Sequence, residues 1–450
     1  MLSWIRLTRT PSKPSATRRA RLALEKLEER AVPSGTDPFH LPHSGPAFTT
    51  VYTESNNPAA GQNAVLAFRQ DPVSGSLTQI GTFLTGGTGE LNLPKVVGPD
   101  DGDQQVVVSQ DHHFLFAVNE GSNSITSFRI RGNGSLDWLG TVDSGGVEPD
   151  SIGVADGELF VANRGDATAT HPGTVAPNVT GLAIAPDGRL AAVPDSTVSF
   201  PVGTFATQTL VAANGKLLFV QLASLSGAPQ GNTLVPFQIE HNGTLVASPG
   251  GGVGASINPS VQLGLAFNPN GNIIYAGLTA SGQIGVYTFD QTGKSTFVGA
   301  AADQGAGPCW ITVSADGRTL YAANTGSDAV GVYSLADPLH PVQIQEFSLG
   351  GPRTDSTGAP RTNVFEIALD PSGHTLFVIT QNTSPDATFP QGNQLHTLTV
   401  AGDGTLSEPV GPIIFSTASV PADAHPQGLA VIEGTGFGHG RDDFDGWRDS

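Results

Sequence analysis

Four side chains of this sequence have the chemistry of hydrolysis. His171 and His425 could take a proton from water, and Arg361 and Arg164 could stabilise a developing oxyanion. Glu54, Asn119, Glu120, Asp150, Trp310, Asn324 and Arg353 are placed to bind a ligand. These residues are scattered along the chain, so only a fold that gathers many loop ends can bring them together. A plainer role competes for each: a polar residue that finishes a turn, or an indole that fills a channel. Asn324 shares its repeat position with Asn119 and Asn163, which points to a turn role. Other apparent motifs fail on context. Thr292-Gly293-Lys294-Ser295 sits at a hairpin and lacks the earlier glycine of a phosphate loop, and Gly434 to Gly440 leads into a polar tail. His112-His113 lies in a turn with no third ligand beside it.

The elements that must position these groups are repeated. The run GPCWITVSADGRTLYAANTGSDAVGVYSL, Gly307 to Leu335, reads as strand, Asp-Gly turn, strand, wider loop and strand. The third strand of the unit carries an aliphatic residue followed three places later by an aromatic residue or Leu. It recurs as Val65 and Phe68, Ile125 and Phe128, Val179 and Leu182, Leu234 and Phe237, Ile284 and Tyr287, Val330 and Tyr333, Leu395 and Leu398, which makes seven units. Offsets of i, i+3 and i+5 place apolar residues on both faces of these strands, as in a sheet packed between two neighbours. The turn between first and second strands occurs only six times, around Asp111, Asp156, Gly215, Gly271, Gly317 and Gly373. The first unit lacks a first strand, and Gly428 to Ile432 is an apolar strand without a successor. Pairing that strand with Thr49 to Thr53 closes a ring and removes the exposed edges. The predicted fold is all-β, a seven-bladed β-propeller closed by its C-terminal strand. It spans residues 48–433, after a basic leader and linker (1–47) and before a polar tail (434–450).

Composition agrees and excludes some partners. Gly 57 and Pro 33 favour short strands and turns over helices. Residues 1–30 carry eight basic and three acidic groups, and the remaining chain carries 13 basic and 37 acidic, a net −24. A body this acidic repels nucleic acid and anionic lipid. The one cysteine, Cys309, excludes an internal disulfide or multi-thiolate metal site, and no window is apolar enough to span a membrane. The propeller is read as a monomer.

Strand parity locates the binding face. In an antiparallel four-stranded blade, the loop from second to third strand and the crossover to the next blade share one face, and both tight turns share the other. The long segments are of the first kind: Arg164 to Asn178, Ala223 to Thr233, Asn382 to Gln394, Asp195 to Ala206, Gly351 to Thr362 and Ser416 to Pro426. That elaborated face is the predicted binding surface.

The repeat units GPCWITVSADGRTLYAANTGSDAVGVYSL and VVVSQDHHFLFAVNEGSNSITSFRIRGNGSL resemble the lactonase family of seven-bladed propellers, which includes 6-phosphogluconolactonases and carboxymuconate cyclases. The resemblance runs from about Thr49 to Ile432 and implies lactone hydrolysis. At the fifth blade the sequence departs from the family pattern: Leu263 and Gly264 stand where the resemblance implies Arg and His, and Leu278 and Thr279 where it implies Asn and Glu. A histidine implied ahead of the fourth blade falls near Thr207, and an Asn-Glu pair occurs instead in blade two, at Asn119-Glu120. The stretch from Leu24 to Ser34 resembles the short leader of exported planctomycete proteins and implies an extracytoplasmic location; a basic arm on a cytoplasmic protein is the alternative. Two functions stay open: a hydrolase of a sugar or other small lactone, or a non-catalytic exported propeller that binds carbohydrate, peptide or a partner protein. No cofactor and no metal site are assigned. The acidity permits Ca²⁺ in the central channel, as in other, six-bladed propeller lactonases.

Overall fold

A computed structural model of the chain describes residues 44–90, 102–155, 157–166, 173–224, 227–228, 230–258, 260–383 and 389–437. His171, Asp156, the leader and most of the polar tail lie outside the described residues. The described chain forms seven antiparallel sheets. Blade two runs from its inner strand Val106–Val108 through Phe114–Asn119 and Ser124–Ile130 to the outer strand Leu136–Asp143. Blade five (Gln262–Asn268, Ile273–Leu278, Gln283–Phe289, Ser295–Ala302) and blade six (Pro308–Val313, Thr319–Asn324, Ala329–Ser334, Val342–Ser348) repeat the pattern. Blades three, four and seven begin with the inner strands Pro149–Ala155, Phe205–Val211 and Thr362–Leu369, and each splits its outer strand into two short pieces.

Blade one is built from both ends of the described chain. Its inner strand is Gln427–Phe437, followed outward by Ser44–Glu54, Ala64–Gln70 and Leu77–Leu84. The register pairs Thr50 with Ile432, Val51 with Val431 and Glu54 with Gln427, so the closure read from the orphan strand holds. All seven third-strand signals fall within third strands.

Packing explains why those strands are apolar on both sides. Seven hydrophobic clusters fill the wedges between neighbouring blades; one joins Tyr52 and Val65 of blade one to Leu115 and Phe128 of blade two, and another joins Val51 and Phe68 to Phe377 and Leu395 of blade seven. Tyrosines add a polar tie across the wedge. Tyr52 donates to the Gly134 carbonyl at 2.9 Å and Tyr321 to the Gly404 carbonyl at 3.0 Å, each in the next blade's hairpin. Those hairpin glycines have φ of 82° and 86°, which β-carbon-bearing residues resist.

The inner strands carry a feature that aims side chains. Six of them have an irregular register near the elaborated face, with the unpaired residues Gly428-Leu429, Asp150, Thr207, Gly264, Cys309-Trp310 and Phe365-Glu366. A bulge breaks the alternation of the strand and turns a side chain off its expected face.

Candidate functional site

The repeat position just after each second strand looks onto the elaborated face, and in blades two and three it is charged: Glu120 and Arg164. Glu120 opens a short 3-10 turn after Asn119. It is 3% exposed and forms part of a cleft of about 430 Å³ that also includes Glu90, Glu148, Pro58 and Val147. Behind it lies Glu54, the last residue of its strand in blade one and fully buried.

One amide links the two acids. Gln427 Nε2 donates to Glu54 Oε1 and to Glu120 Oε1, each at 2.7 Å. Asn63 Nδ2 donates to Asn119 Oδ1 at 3.0 Å and to Glu54 Oε2 at 3.4 Å, and Asn56 Nδ2 reaches Glu120 Oε2 at 3.5 Å. Burial pushes the Glu54 carboxyl up to about 8, against the pull of its hydrogen bonds from Gln427 and Asn63. Glu120 is also held well above the usual carboxylate range, first by burial and then by the charges of Asp150, Glu90 and Glu54. The arrangement therefore raises the proton affinity of both carboxyls, and Glu120 carries that raised affinity to the cleft.

Asp150, aimed by its bulge, is fully buried and accepts the Gly102 N–H at 3.0 Å. Trp310 is buried, its Nε1 donating to the Gly102 carbonyl at 2.6 Å and its ring packed at a tilt against Phe365, 3.8 Å between centroids. Of the residues singled out in the sequence, Glu54, Asn119, Glu120, Asp150 and Trp310 thus belong to one connected region at the channel mouth. Arg164 stands at its rim, buried, paired with Glu148 and facing the Phe205 ring at 5.8 Å.

The other candidates lie elsewhere. Arg361 is paired with Asp355 at 2.6 Å inside its own crossover, and Arg353 pairs with Asp328 and donates to the Leu349 carbonyl at 2.6 Å. Both arginines therefore act as loop ties. His425 is fully buried with Nε2 against the Asn382 carbonyl at 3.2 Å, so that nitrogen carries a proton and is not a base toward water. Asn324 lies between Asp303 and Glu346, donating to them at 2.9 and 2.8 Å, in a polar cluster of blade six. Sequence reading missed Gln427, Asn63, Glu148 and Gly102. Gln427 had a readable signal, since it begins the strand that closes the ring opposite Glu54.

Blade five is filled where the family pattern places its Arg, His, Asn and Glu. Leu263 and Leu278 are buried, and Thr279 donates to the Pro308 carbonyl at 2.8 Å. A Cβ on Gly264 would lie 2.1 Å from the Cys309 carbonyl oxygen, and its φ is +74°, so this backbone leaves no room for a histidine. Thr207 is buried, its hydroxyl 3.5 Å from Gln221 Oε1. Among the described residues, no group of three or more His, Cys, Asp or Glu side chains is arranged to hold a metal ion, and no helix is long and apolar enough to cross a membrane.

Comparison with known proteins agrees with this architecture. The family model described as "Lactonase, 7-bladed beta-propeller" matches residues 62–172 and 224–386. A search of curated proteins by sequence returned no match. Among solved structures, the periplasmic gluconolactonase of Pseudomonas aeruginosa is similar, with TM-score 0.63 and 18% identity over 85% of this chain and 99% of that one. A putative 6-phosphogluconolactonase of Bacteroides fragilis superposes with TM-score 0.64 at 15% identity, covering 86% of this chain and 98% of that one. One of Bacteroides uniformis gives 0.63 at 18%, covering 86% and 99%. With repeat, ring closure and family match in agreement, the chain belongs to the lactonase family of seven-bladed β-propellers.

Proposed function

We propose that this propeller hydrolyses an uncharged lactone, at the cleft between blades one, two and three, with Glu120 as the proton-transfer group. The observation that carries the reading is the pair of buried carboxyls, Glu54 and Glu120, bridged by one amide beside an open cleft. In the ionised form Glu120 takes a proton from water as the water oxygen bonds to the lactone carbonyl carbon. It then returns that proton to the ring oxygen as the carbon–oxygen bond breaks, giving a hydroxy acid. Its raised proton affinity makes it a stronger base than an ordinary carboxylate. The carboxylates Glu90 and Glu148 beside the cleft disfavour a phosphorylated substrate, and Arg164, Arg353 and Arg361 are each engaged by a carboxylate. The resemblance of Leu24 to Ser34 to an export leader supports an extracytoplasmic site of action.

The test is hydrolysis of glucono-δ-lactone and of its 6-phosphate by the full chain, followed by acid release against the uncatalysed rate. Turnover of the neutral lactone that falls about 100-fold or more in Glu120→Gln is expected, from the usual size of general-base effects. A folded wild-type protein without turnover, or an unchanged Glu120→Gln, would sink the proposal and leave the non-catalytic binding reading.

A further inference from the structure

Gln427 stands where the ring closes, and three blades fix its backbone. It opens the inner strand of blade one opposite Glu54, and its carbonyl accepts Thr53 Oγ1 at 3.0 Å. The Pro426 carbonyl before it accepts Gln381 Nε2 of blade seven at 2.9 Å. Gly428 after it has φ of +67°, and a Cβ there would fall 2.6 Å from the Val106 nitrogen of blade two, so this approach requires glycine. The Gln427 side chain itself is fully buried.

A primary amide nitrogen carries two hydrogens, and here both are committed. One goes to Glu54 Oε1 and the other to Glu120 Oε1, each at 2.7 Å. The reverse amide orientation would set an oxygen against two carboxyl oxygens, so the acids fix which way the amide points. The two oxygens of Glu120 are therefore unequal. Oε1 accepts a short bond, whereas Oε2 meets Asn56 Nδ2 at 3.5 Å, the outer limit of a hydrogen bond. The hydroxyl oxygen of a carboxylic acid accepts more weakly than its carbonyl oxygen, so the Gln427 bond keeps Oε1 carbonyl-like and directs a proton to Oε2.

We propose that Gln427 is the positioning residue of Glu120: its amide keeps Oε1 as an acceptor and leaves Oε2 to exchange a proton at the cleft. The base is then complete only when the C-terminal strand has closed the ring. Its use in hydrolysis rests on the function proposed above; the hold of Gln427 on Glu120 does not. The titratable groups that face Glu120 are Glu54 of blade one, Asp150 of blade three, and Glu90 and Glu148 at the cleft, with Arg164 paired to Glu148. An N–H donated to a carboxylate favours its ionised form, so the amide acts against burial and these neighbouring charges.

Infrared difference spectra of the full chain against pH follow the Glu120 carboxyl without substrate, its band assigned by its loss in Glu120→Gln. The comparison is made in Glu54→Gln, so that of the two bridged acids only Glu120 titrates. There Gln427→Met, which keeps the side-chain length and removes both donors, should move the Glu120 titration to higher pH by about one unit. The rise of lactone turnover with pH should move with it, and the plateau kcat should fall about tenfold with KM little changed, since orientation and not binding is lost. An unmoved or downward titration would overturn the proposal whether or not lactone is hydrolysed. A titration that moves up in a protein without turnover would sustain the hold on Glu120 and sink the hydrolysis instead. Turnover lowered at every pH with no shift would mean that Gln427 only supports the fold. If Gln427→Met does not fold, Gln427→Asn, an amide one methylene too short to bridge both acids, serves the same comparison.

Discussion

Glu120 and Glu54 are both carboxyls, yet their surroundings give them different work. Glu54 has no exposed surface and takes hydrogen bonds from the amides of Gln427 and Asn63, and burial pushes its carboxyl up to about 8, so its proton stays on near neutral pH. Glu120 meets the cleft, and after burial the largest influence on it is the charge of Asp150. Replacing that charge while keeping an oxygen acceptor for Gly102 should therefore move Glu120 alone. With Asp150→Asn, Glu120 loses a repulsive neighbour and its proton affinity falls. The rise of lactone turnover with pH, which follows ionisation of the base, should then shift to lower pH by about one unit. A pH–rate profile of the two proteins checks this, and a shift to higher pH would contradict the assignment. His396 invites a similar comparison: its Nδ1 lies 2.7 Å from Glu408, whose Oε2 accepts the Gly350 N–H at 2.6 Å. Burial raises the Glu408 carboxyl, but the hydrogen bond and charge of His396, the Gly350 N–H and the charge of Arg353 together hold it below its ordinary range. That pair ties blade seven to the crossover entering it and lies apart from the cleft.

At the scale of strands, the blade wedges are held by apolar area and sealed by single hydrogen bonds. Tyr321 spans from blade six to the hairpin of blade seven, and the buried ring keeps its hydroxyl pushed up to about 12. Tyr321→Phe keeps the ring and leaves the Gly404 carbonyl without this donor, so it should cost about 1 kcal/mol in denaturant titration. A loss below a few tenths would mean that water replaces the hydroxyl there. The same strands show what was legible beforehand. Third strands announce themselves because each packs against two neighbouring blades, and hairpins because Asp-Gly and Asn-Gly suit their turns. Inner strands hide their chemistry. Asp150 and Trp310, unpaired at bulges, stood out by residue type, but Glu366, unpaired at the bulge of blade seven, did not, because a period-two reading assigns such residues to the wrong face. Gly102 was equally silent, since it sits in a polar acidic run that reads as a surface loop. Arg361 and Arg353 illustrate the opposite error: a cation on a long loop looks available until its carboxylate partner is seen.

For the whole molecule, two populations of carboxyl groups oppose each other. The hairpin aspartates Asp71, Asp187, Asp290, Asp316 and Asp403 accept turn hydrogen bonds and are lowered from their ordinary values. A depressed carboxyl contributes stability that is present above its unfolded value, about 4, and is lost as pH falls through the folded one. Glu54, Glu120 and Asp103 are raised, chiefly by burial. A raised carboxyl contributes fully below its unfolded value, and that contribution is lost as pH rises through the folded one, which for Glu54 is about 8. The exposed turn groups are screened by solvent and weigh little, whereas the buried acids weigh more. Stability should therefore peak in the mildly acidic range, near about pH 5, and decline toward about pH 8 as the channel acids are forced to ionise within a body that is already strongly negative. Thermal midpoints of the full chain across that range measure the decline. Glu54→Gln, which cannot ionise and still offers an acceptor to Gln427, should flatten it. If the wild-type midpoint is constant or rises between those pH values, the buried acids do not hold their protons in the folded ring, and the base assigned to Glu120 loses its physical ground.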